Sequence, residues 1–579
     1  MPRVGSILRV LALICLAPAG CQQWFIQSAD REVRKLIESR QQAALGEVHS
    51  ADVGPEDGRV GGSGDMYSFI PHPVEPQVPE SFHPRASTQA PTTRPAATQP
   101  AGQRQPLTLA DALAYAMRHA RDFQFEKEEL YLSALALTLE RHLWTPQFVG
   151  EVSAEFVEFA HEPDRESEEV EDFDRAMTTV AQVGVSQRLP FGGEVTARVI
   201  NTLVRNLETH TTAGESGQFI LEADIPLFRG AGRVALESRY QAERNLIYAV
   251  RNFERFRRAF LVAIASDYFD ILSVKARIEN ARESERALKE EIDRSDALAK
   301  AGDELQLEAD RARVDYLIAQ NEAVSAEAAY DLALDRFKLT LGMPAETPID
   351  VVEPELSLAA PEVSEADATA VALRYRLDLL NERDFVDDAR RRVLVARNNL
   401  LPDFDFRGSV TKDTNPERSD SFSYNSSRTE LRGELALEIP LDRKAERNDY
   451  RGALIDLRRA ERDYDLRRDE VRLDVRDALR RIEETRVSME IQLKNIEINR
   501  FRKDQATELR LKGLLASNRD KIEAENAFRD AKNRYARAQS DYRTAILGFL
   551  RDTGTLRVGD QGRLVTFESA ASASAEDAP

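Results

Sequence analysis

The chain has 579 residues, a formal net charge of −20, 31% charged residues and 7% aromatic residues. That composition is helix-rich, and its acidic balance excludes a nucleic-acid binder, which needs a basic face. Two cysteines, Cys15 and Cys21, exclude a disulfide framework and a four-ligand zinc site. Beyond the N-terminus no apolar run reaches the roughly 18 residues of a membrane-crossing helix.

Residues 1–20 carry Arg3 and Arg9 ahead of the apolar stretch Val10–Ala17, the pattern of an export signal. Cys21 follows Ala19-Gly20, as at a lipoprotein cleavage site, which makes Cys21 a candidate for lipid attachment. Pro18 stands where such sites carry Leu, and Ala17-Pro18-Ala19 equally fits an ordinary signal peptidase. Residues 21–106 read as a tether. A short helix is expected over Asp30–Gly46, followed by a segment rich in Pro, Thr and Ala that cannot bury a core.

A first repeat spans 107–344. Leu107–Leu143 has helical periodicity, with Thr108 and Asp111 spaced as a capping pair, and Pro146 ends it. Period-two runs follow. Phe148, Gly150, Val152, Ala154 and Phe156 alternate with Glu151, Ser153 and Glu155. Further runs cover Ala181–Ser186, Glu194–Val199 and Phe219–Ile225, with a tight turn at Pro190–Gly193. Runs of about nine to eleven residues with one apolar face match strands that cross a bilayer at a tilt. The long polar connections His161–Met177, Arg205–Gly217 and Lys412–Ser427 all fall at one end of the strands. A helix is expected from Pro226 to Gly302, about 110 Å at 1.5 Å per residue. Its stripe Val250, Phe253, Phe256, Phe260, Ile264, Tyr268, Ile271, Val274 and Ile278 steps by three and four, as in a coiled coil. Ala301-Gly302-Asp303 supplies a turn, and a helix returns from Leu307 to Leu341.

After a linker at 345–363, residues 364–552 repeat this order: a helix at Glu365–Leu401, strands at Asp403–Val410 and Glu430–Ile439, a helix at Lys444–Lys512, and a return from Asn518 to Leu547. Residues 553–579 form an extended polar tail. Ile225-Pro226-Leu227 recurs as Ile439-Pro440-Leu441, 214 positions on. Gly302 recurs as Gly513 at 211, and Leu341-Gly342 as Leu547-Gly548 at 206. An internal duplication is the main organising fact. The fold class is therefore mainly α: tandem long helical hairpins with coiled-coil packing, plus membrane β-strands. Six strands per chain are too few to close a barrel around water, so the strands are expected to be shared between copies.

No catalytic constellation emerges, and the chain is not read as an enzyme. His119 and His142 share no ligand spacing, and Gly230-Ala231-Gly232 lacks the third glycine of a dinucleotide loop and reads as a strand-to-helix joint. No cofactor or metal is expected.

Strand-bearing helical hairpins in tandem, in an exported chain, resemble the TolC-type outer membrane factor (outer membrane efflux protein) family over about Leu107–Leu550. The second tip, from Arg510 through Gly513, Ala516 and Ser517 to Asp520 and Glu523, is similar to the family's tip pattern, with one extra residue after Gly513. The first tip keeps Gly302 but has Leu305 where a small polar residue is usual. The resemblance implies a homotrimer whose strands close one barrel in the outer membrane and whose twelve long helices close a coiled-coil-like α-barrel, forming a periplasmic tunnel. In the family each chain usually gives four strands, so the pair around Pro190–Gly193 is extra and either adds strands or extends the barrel rim. Gly302, Leu305, Arg510, Gly513, Ala516 and Ser517 would meet a periplasmic adaptor (membrane fusion protein) that joins an inner-membrane RND or ABC transporter. Asp520 and Glu523 would ring the closed end and favour cations. The same tip residues also read as turn formers. The alternative function is a lipid-anchored periplasmic scaffold or adaptor without a channel.

Overall fold

The computed structural model describes residues 22–46, 48, 104–158, 175–206, 212–301, 305–354, 358, 360–414, 424–512, 518–559 and 564–565; Cys21, Gly302, Gly513, Ala516 and Ser517 lie outside them. The first helix, α1, covers Gln22–Leu45, longer than the Asp30–Gly46 expected. A short strand β1 (Gln105–Leu107) leads into α2 (Leu109–His119) and α3 (Arg121–His142). The periodic run Leu107–Leu143 is thus two helices. Ala120 takes an extended ψ of 130° and breaks it. Thr108 caps α2 as its spacing predicts, accepting from the Asp111 N–H at 3.2 Å and donating to its carboxylate at 2.7 Å.

Four strands follow: β2 (Gln147–Glu158), β3 (Arg175–Arg188), β4 (Glu194–Asn206) and β5 (Thr212–Pro226). The long helix α4 spans Glu237–Ala301, and its 65 residues make it about 98 Å long. It starts later than Pro226 because Gly230 and Gly232, at φ of 80° and 75°, turn the chain before a short 3-10 segment. The return helix α5 is Gln306–Leu341. Strand β6 (Ile349–Val351) then pairs in parallel with β1.

The second repeat has the same order: α6 (Glu365–Tyr375), α7 (Leu377–Asn398), β7 (Asp403–Thr414), β8 (Tyr424–Glu438), α8 (Lys444–Leu511) and α9 (Asn518–Asp552). Ser364 caps α6 through Asp367 as Thr108 caps α2, and Arg376 breaks the run at an extended ψ of 120°. Strands β9 (Arg557–Val558) and β10 (Leu564–Val565) pair after α9.

One expected match between repeats is corrected. Gly342 ends α5 at φ 78°, and a Cβ there would lie 2.2 Å from the His119 carbonyl at the α2–α3 break. The equivalent residue is Gly554, not Gly548. Gly554 has φ 72° and sits against the Tyr375 carbonyl at the α6–α7 break. Gly548 is an ordinary position inside α9.

The helices form a wall of four columns. Helix α4 packs against α3 above and α5 below on one side, and against α7 above and α9 below on the other; α8 then packs along α7 and α9. Each long helix therefore faces columns made of two shorter helices. The core is densest where these meet, around Phe253, Phe260, Ile264, Tyr268, Phe269, Phe337 and Leu341. The Tyr268 hydroxyl lies 2.8 Å from the Leu107 carbonyl oxygen and 2.6 Å from that of Val352, stitching the β1–β6 pair to this waist.

Candidate channel wall and its two ends

All six strands lie in one antiparallel sheet in the order β2-β3-β4-β5-β7-β8. They run 12 to 15 residues, longer than the runs read from the sequence, and Thr212–Gly217 extends into what reads as a loop. At about 3.4 Å per residue each exceeds the thickness of an outer-membrane apolar band even when tilted. Register puts the alternating apolar side chains on one face. Phe148 stands opposite Val185, Val183 opposite Val199, Ala197 opposite Leu221, and Val410 opposite Leu431. That face is bare of protein: Phe148 and Leu431 are each 80% exposed. The other face is polar and internally paired. Gln182 donates to Glu151, Arg198 meets Glu222 at 2.5 Å, and Arg407 lies among Asp224, Asp405 and Glu434.

The lower end of the sheet is built into the helical wall. The chain reverses between β3 and β4 within Leu189–Gly193, where the Leu189 N–H donates to the Gly193 carbonyl at 2.9 Å. Gly193 has φ 85°, and a Cβ there would come within 2.1 Å of the Asp224 carbonyl oxygen. The Gly232 N–H donates to the Phe191 carbonyl at 2.7 Å, and Asn398 accepts from the Gly230 N–H at 2.7 Å. Gly230-Ala231-Gly232 is therefore the joint between strand and helix. The strands lead away from this joint, so β2, β4 and β7 all end at the far side of the sheet; the connections that follow them lie outside the described residues.

Helix α1 packs on part of α3, but elsewhere the outer columns of the wall expose apolar stretches. On α3, Phe125, Leu132 and Leu139 are exposed at intervals of seven. So are the pairs Leu307–Val314, Leu317–Val324 and Leu332–Leu339 on α5, and Leu466–Leu473 and Ile491–Ile498 on α8. A seven-residue apolar repeat is a knobs-into-holes seam, and among the described residues these seams have no partner. Between α4 and α7 the contact is ionic instead. Arg244 and Arg251 bind Asp384 at 3.2 and 2.6 Å, and Tyr248 donates to Asp388 at 2.8 Å. Asp378 is buried between Arg376 and Arg467. Burial alone would raise its pKa, but the two guanidiniums outweigh that and hold it below the usual carboxylate range.

At the tips, Leu305 is 71% exposed and its carbonyl accepts from the Glu308 N–H to start α5. Arg510 lies in the last turn of α8. Asp520 is exposed in the first turn of α9, where a carboxylate favours the positive end of the helix dipole. Glu523, also exposed, lines a cleft between the two hairpins with Arg519, Ile522, Leu307, Arg311 and Val314. The structure thus brings the two tips side by side.

A pair that sequence reasoning missed lies just above. Lys521 of the second hairpin binds Glu291 of the first, whose side chain is 1% exposed. Stepping by three and four beyond Ile278 lands on Ala281, Ser284, Leu288, Glu291 and Ser295, all buried on α4. A carboxylate on an apolar seam was the available signal.

Residues 369–553 match the family model described as outer membrane efflux protein. This part of the chain is similar to that family. The fold of the whole agrees with it. The chain superposes on the channel CusC with a TM-score of 0.58 at 15% identity, covering 77% of this chain and 92% of that one. The CmeC outer membrane channel of Campylobacter jejuni gives 0.58 at 13% identity, covering 81% and 88%. The outer membrane protein VceC of Vibrio cholerae gives 0.56 at 12% identity, covering 77% and 96%. A search of curated proteins found no match. The tandem helical hairpins with a strand-bearing end therefore have the TolC-type outer membrane efflux fold, and both repeats share it although the family model matches only the second.

Proposed function

We propose that the chain is the outer-membrane channel of an export system, conducting substrates passively from an inner-membrane transporter to the outside. Three copies pool their sheets into one barrel and their helical columns into a periplasmic tunnel. The observation that carries this reading is the continuity of two unfinished surfaces. Among the described residues, a sheet of bilayer length has one bare apolar face and two free edges, and it runs straight into a helical wall with unpartnered heptad seams on both sides. A barrel removes sheet edges that lipid does not tolerate, and a helical ring buries the seams. A lipid-anchored scaffold without a channel leaves the long apolar-faced strands without a use.

In this reading Gly302, Leu305, Arg510, Gly513, Ala516 and Ser517 meet a periplasmic adaptor that joins the tunnel to an RND or ABC transporter, and lipid at Cys21 anchors the N-terminus. Asp520 and Glu523 line the narrow end and favour cations. The mass of the detergent-extracted protein and its conductance in planar bilayers test the assignment. Trimers with discrete conductance are expected; a soluble monomer that never conducts would sink it. Within active trimers, Asp520→Asn with Glu523→Gln is expected to raise conductance or abolish block by polyvalent cations. Unchanged conductance and block would remove the two carboxylates from the aperture.

A further inference from the structure

We infer that the outer-membrane barrel of this protein has eighteen strands, and that its bore equals that of the helical tunnel beneath it. The count rests on the three-copy assembly proposed above, six strands from each of three chains. The match in width does not, because it holds within one chain.

Four strand ends at the joint lead to helices: β2 from α3, β5 to α4, β7 from α7 and β8 to α8. The β3–β4 hairpin leads to none, and its turn rests on the joint. Four helical columns about 9 Å apart span about 36 Å of wall. Four strands about 4.8 Å apart and tilted by about 40° span only about 25 Å, whereas six span about 38 Å. The extra hairpin supplies the missing width, so the barrel need not narrow above the helices. Over the closed ring, eighteen strands enclose a backbone diameter of about 36 Å, against about 24 Å for twelve.

Two observations place the hairpin within the wall rather than folded into the lumen or lying against the outside. Strand β3 pairs with β2 from Gln147–Ser186 to Glu158–Arg175, and β4 pairs with β5 from Glu194–Asp224 to Arg205–Thr212. The two strands also carry the same facial alternation as their neighbours. Met177, Val183 and Val199 point with the bare apolar face, and Gln182 and Arg198 with the polar face. A plug within the lumen has no need of an apolar face. The cargo class that follows is a wide one: hydrated polymer that fits the shaft meets no narrower exit at the membrane.

Two cysteine pairs test the wall in native membranes, in the full chain with Cys21 retained. Val152→Cys with Ala181→Cys bridges β2 to β3, and Ala197→Cys with Leu221→Cys bridges β4 to β5; both are directly opposed. Efficient disulfide formation in both is expected, and failure of either in folded protein overturns the inference. An electron cryomicroscopy map of the unmodified protein in lipid supplies the count. Three copies with eighteen wall strands support it. Three copies with twelve, the hairpin displaced, refute it while leaving the channel assignment standing. Any other copy number refutes the trimer, and the disulfides then report on the six-stranded wall alone. In bilayers, a polyethylene glycol about 20 Å across, added from the side of the long loops, should enter the barrel and lower conductance; exclusion at about 15 Å would mark a twelve-stranded bore.

Discussion

One continuous helix, α4, carries two different kinds of interface, and the contrast between them bears on how such a tunnel holds together and how it opens. At its waist, Phe253, Phe260, Tyr268 and Phe269 meet Phe123 and Phe337, with ring centroids 5.6 Å apart for Phe123–Phe253 and 6.2 Å for Tyr268–Phe337. Toward the tip the same stepping buries Ser284, Leu288, Glu291 and Ser295 on α4, and the return helix α5 buries Ala309, Ala312, Ala319 and Ala323. There the only apolar cluster among the described residues joins Leu288, Ala319 and Ile522. Burial is worth about 0.8 kcal/mol per methylene, so a seam of alanines and serines gains far less per turn than one of aromatics. The waist is therefore the rigid girdle, and the foot is held by small side chains and ion pairs such as Lys521–Glu291 and Lys503–Glu525, the class of region that opens at low cost.

The sharpest way to break this contrast is to cut the girdle. Phe337→Ala is expected to cost about 3–5 kcal/mol, read as a lower denaturation midpoint by far-UV circular dichroism. Leu288→Ala at the foot should cost less, about 2 kcal/mol, because its small neighbours can close on the cavity. Equal losses would mean that the foot is as tightly packed as the waist. Next comes the junction glycine. Gly342→Ala forces a Cβ onto the His119 backbone at positive φ and should cost about 3 kcal/mol. Gly554→Ala, where the nearest atom is 3.1 Å away, should cost less; the reverse order would break the equivalence of the two junctions.

Lys521→Met removes one cation from the buried Glu291 carboxylate and should loosen the foot by about 2 kcal/mol, seen as faster amide exchange over 284–301 with the girdle unchanged. Restoring protection with Glu291→Gln in the same chain would confirm that the pair, and not the lysine stem, was responsible. The smallest effect is a pH slope. The carboxyl of Asp378 is depressed by Arg376 and Arg467. Its stabilisation is therefore complete above the ordinary carboxylate pKa near 4 and is lost as pH falls below it toward the folded value. Asp378→Asn should flatten the fall in melting temperature between about pH 4 and 2; an unchanged slope would assign the acid sensitivity to other carboxylates.

Local pattern was legible along the chain wherever the physics is local. The stripe from Val250 to Ile278, the period-two runs, the Thr108 cap and the glycine joint at 230–232 each follow from the geometry of a helix, a pleat or a left-handed residue. So does the duplication, since Ile225-Pro226-Leu227 and Ile439-Pro440-Leu441 mark the same strand-to-helix exit twice. The breaks at Ala120 and Arg376 were hidden because neither residue is a breaker; the carbonyls there turn aside to receive Gly342 and Gly554, which lie far along the chain.

By itself, then, the sequence determined the long helices, the sheet strands and their twofold order, because spacing along the chain encodes periodicity. Only the tertiary structure decided that the β3–β4 hairpin joins the sheet, that α4 stands between two composite columns, that Gly554 answers Gly342, and that Lys521 meets Glu291. Those are pairings across as many as 230 positions, selected by packing and by charge neutralised out of water, and nothing in the neighbouring residues of either partner records them.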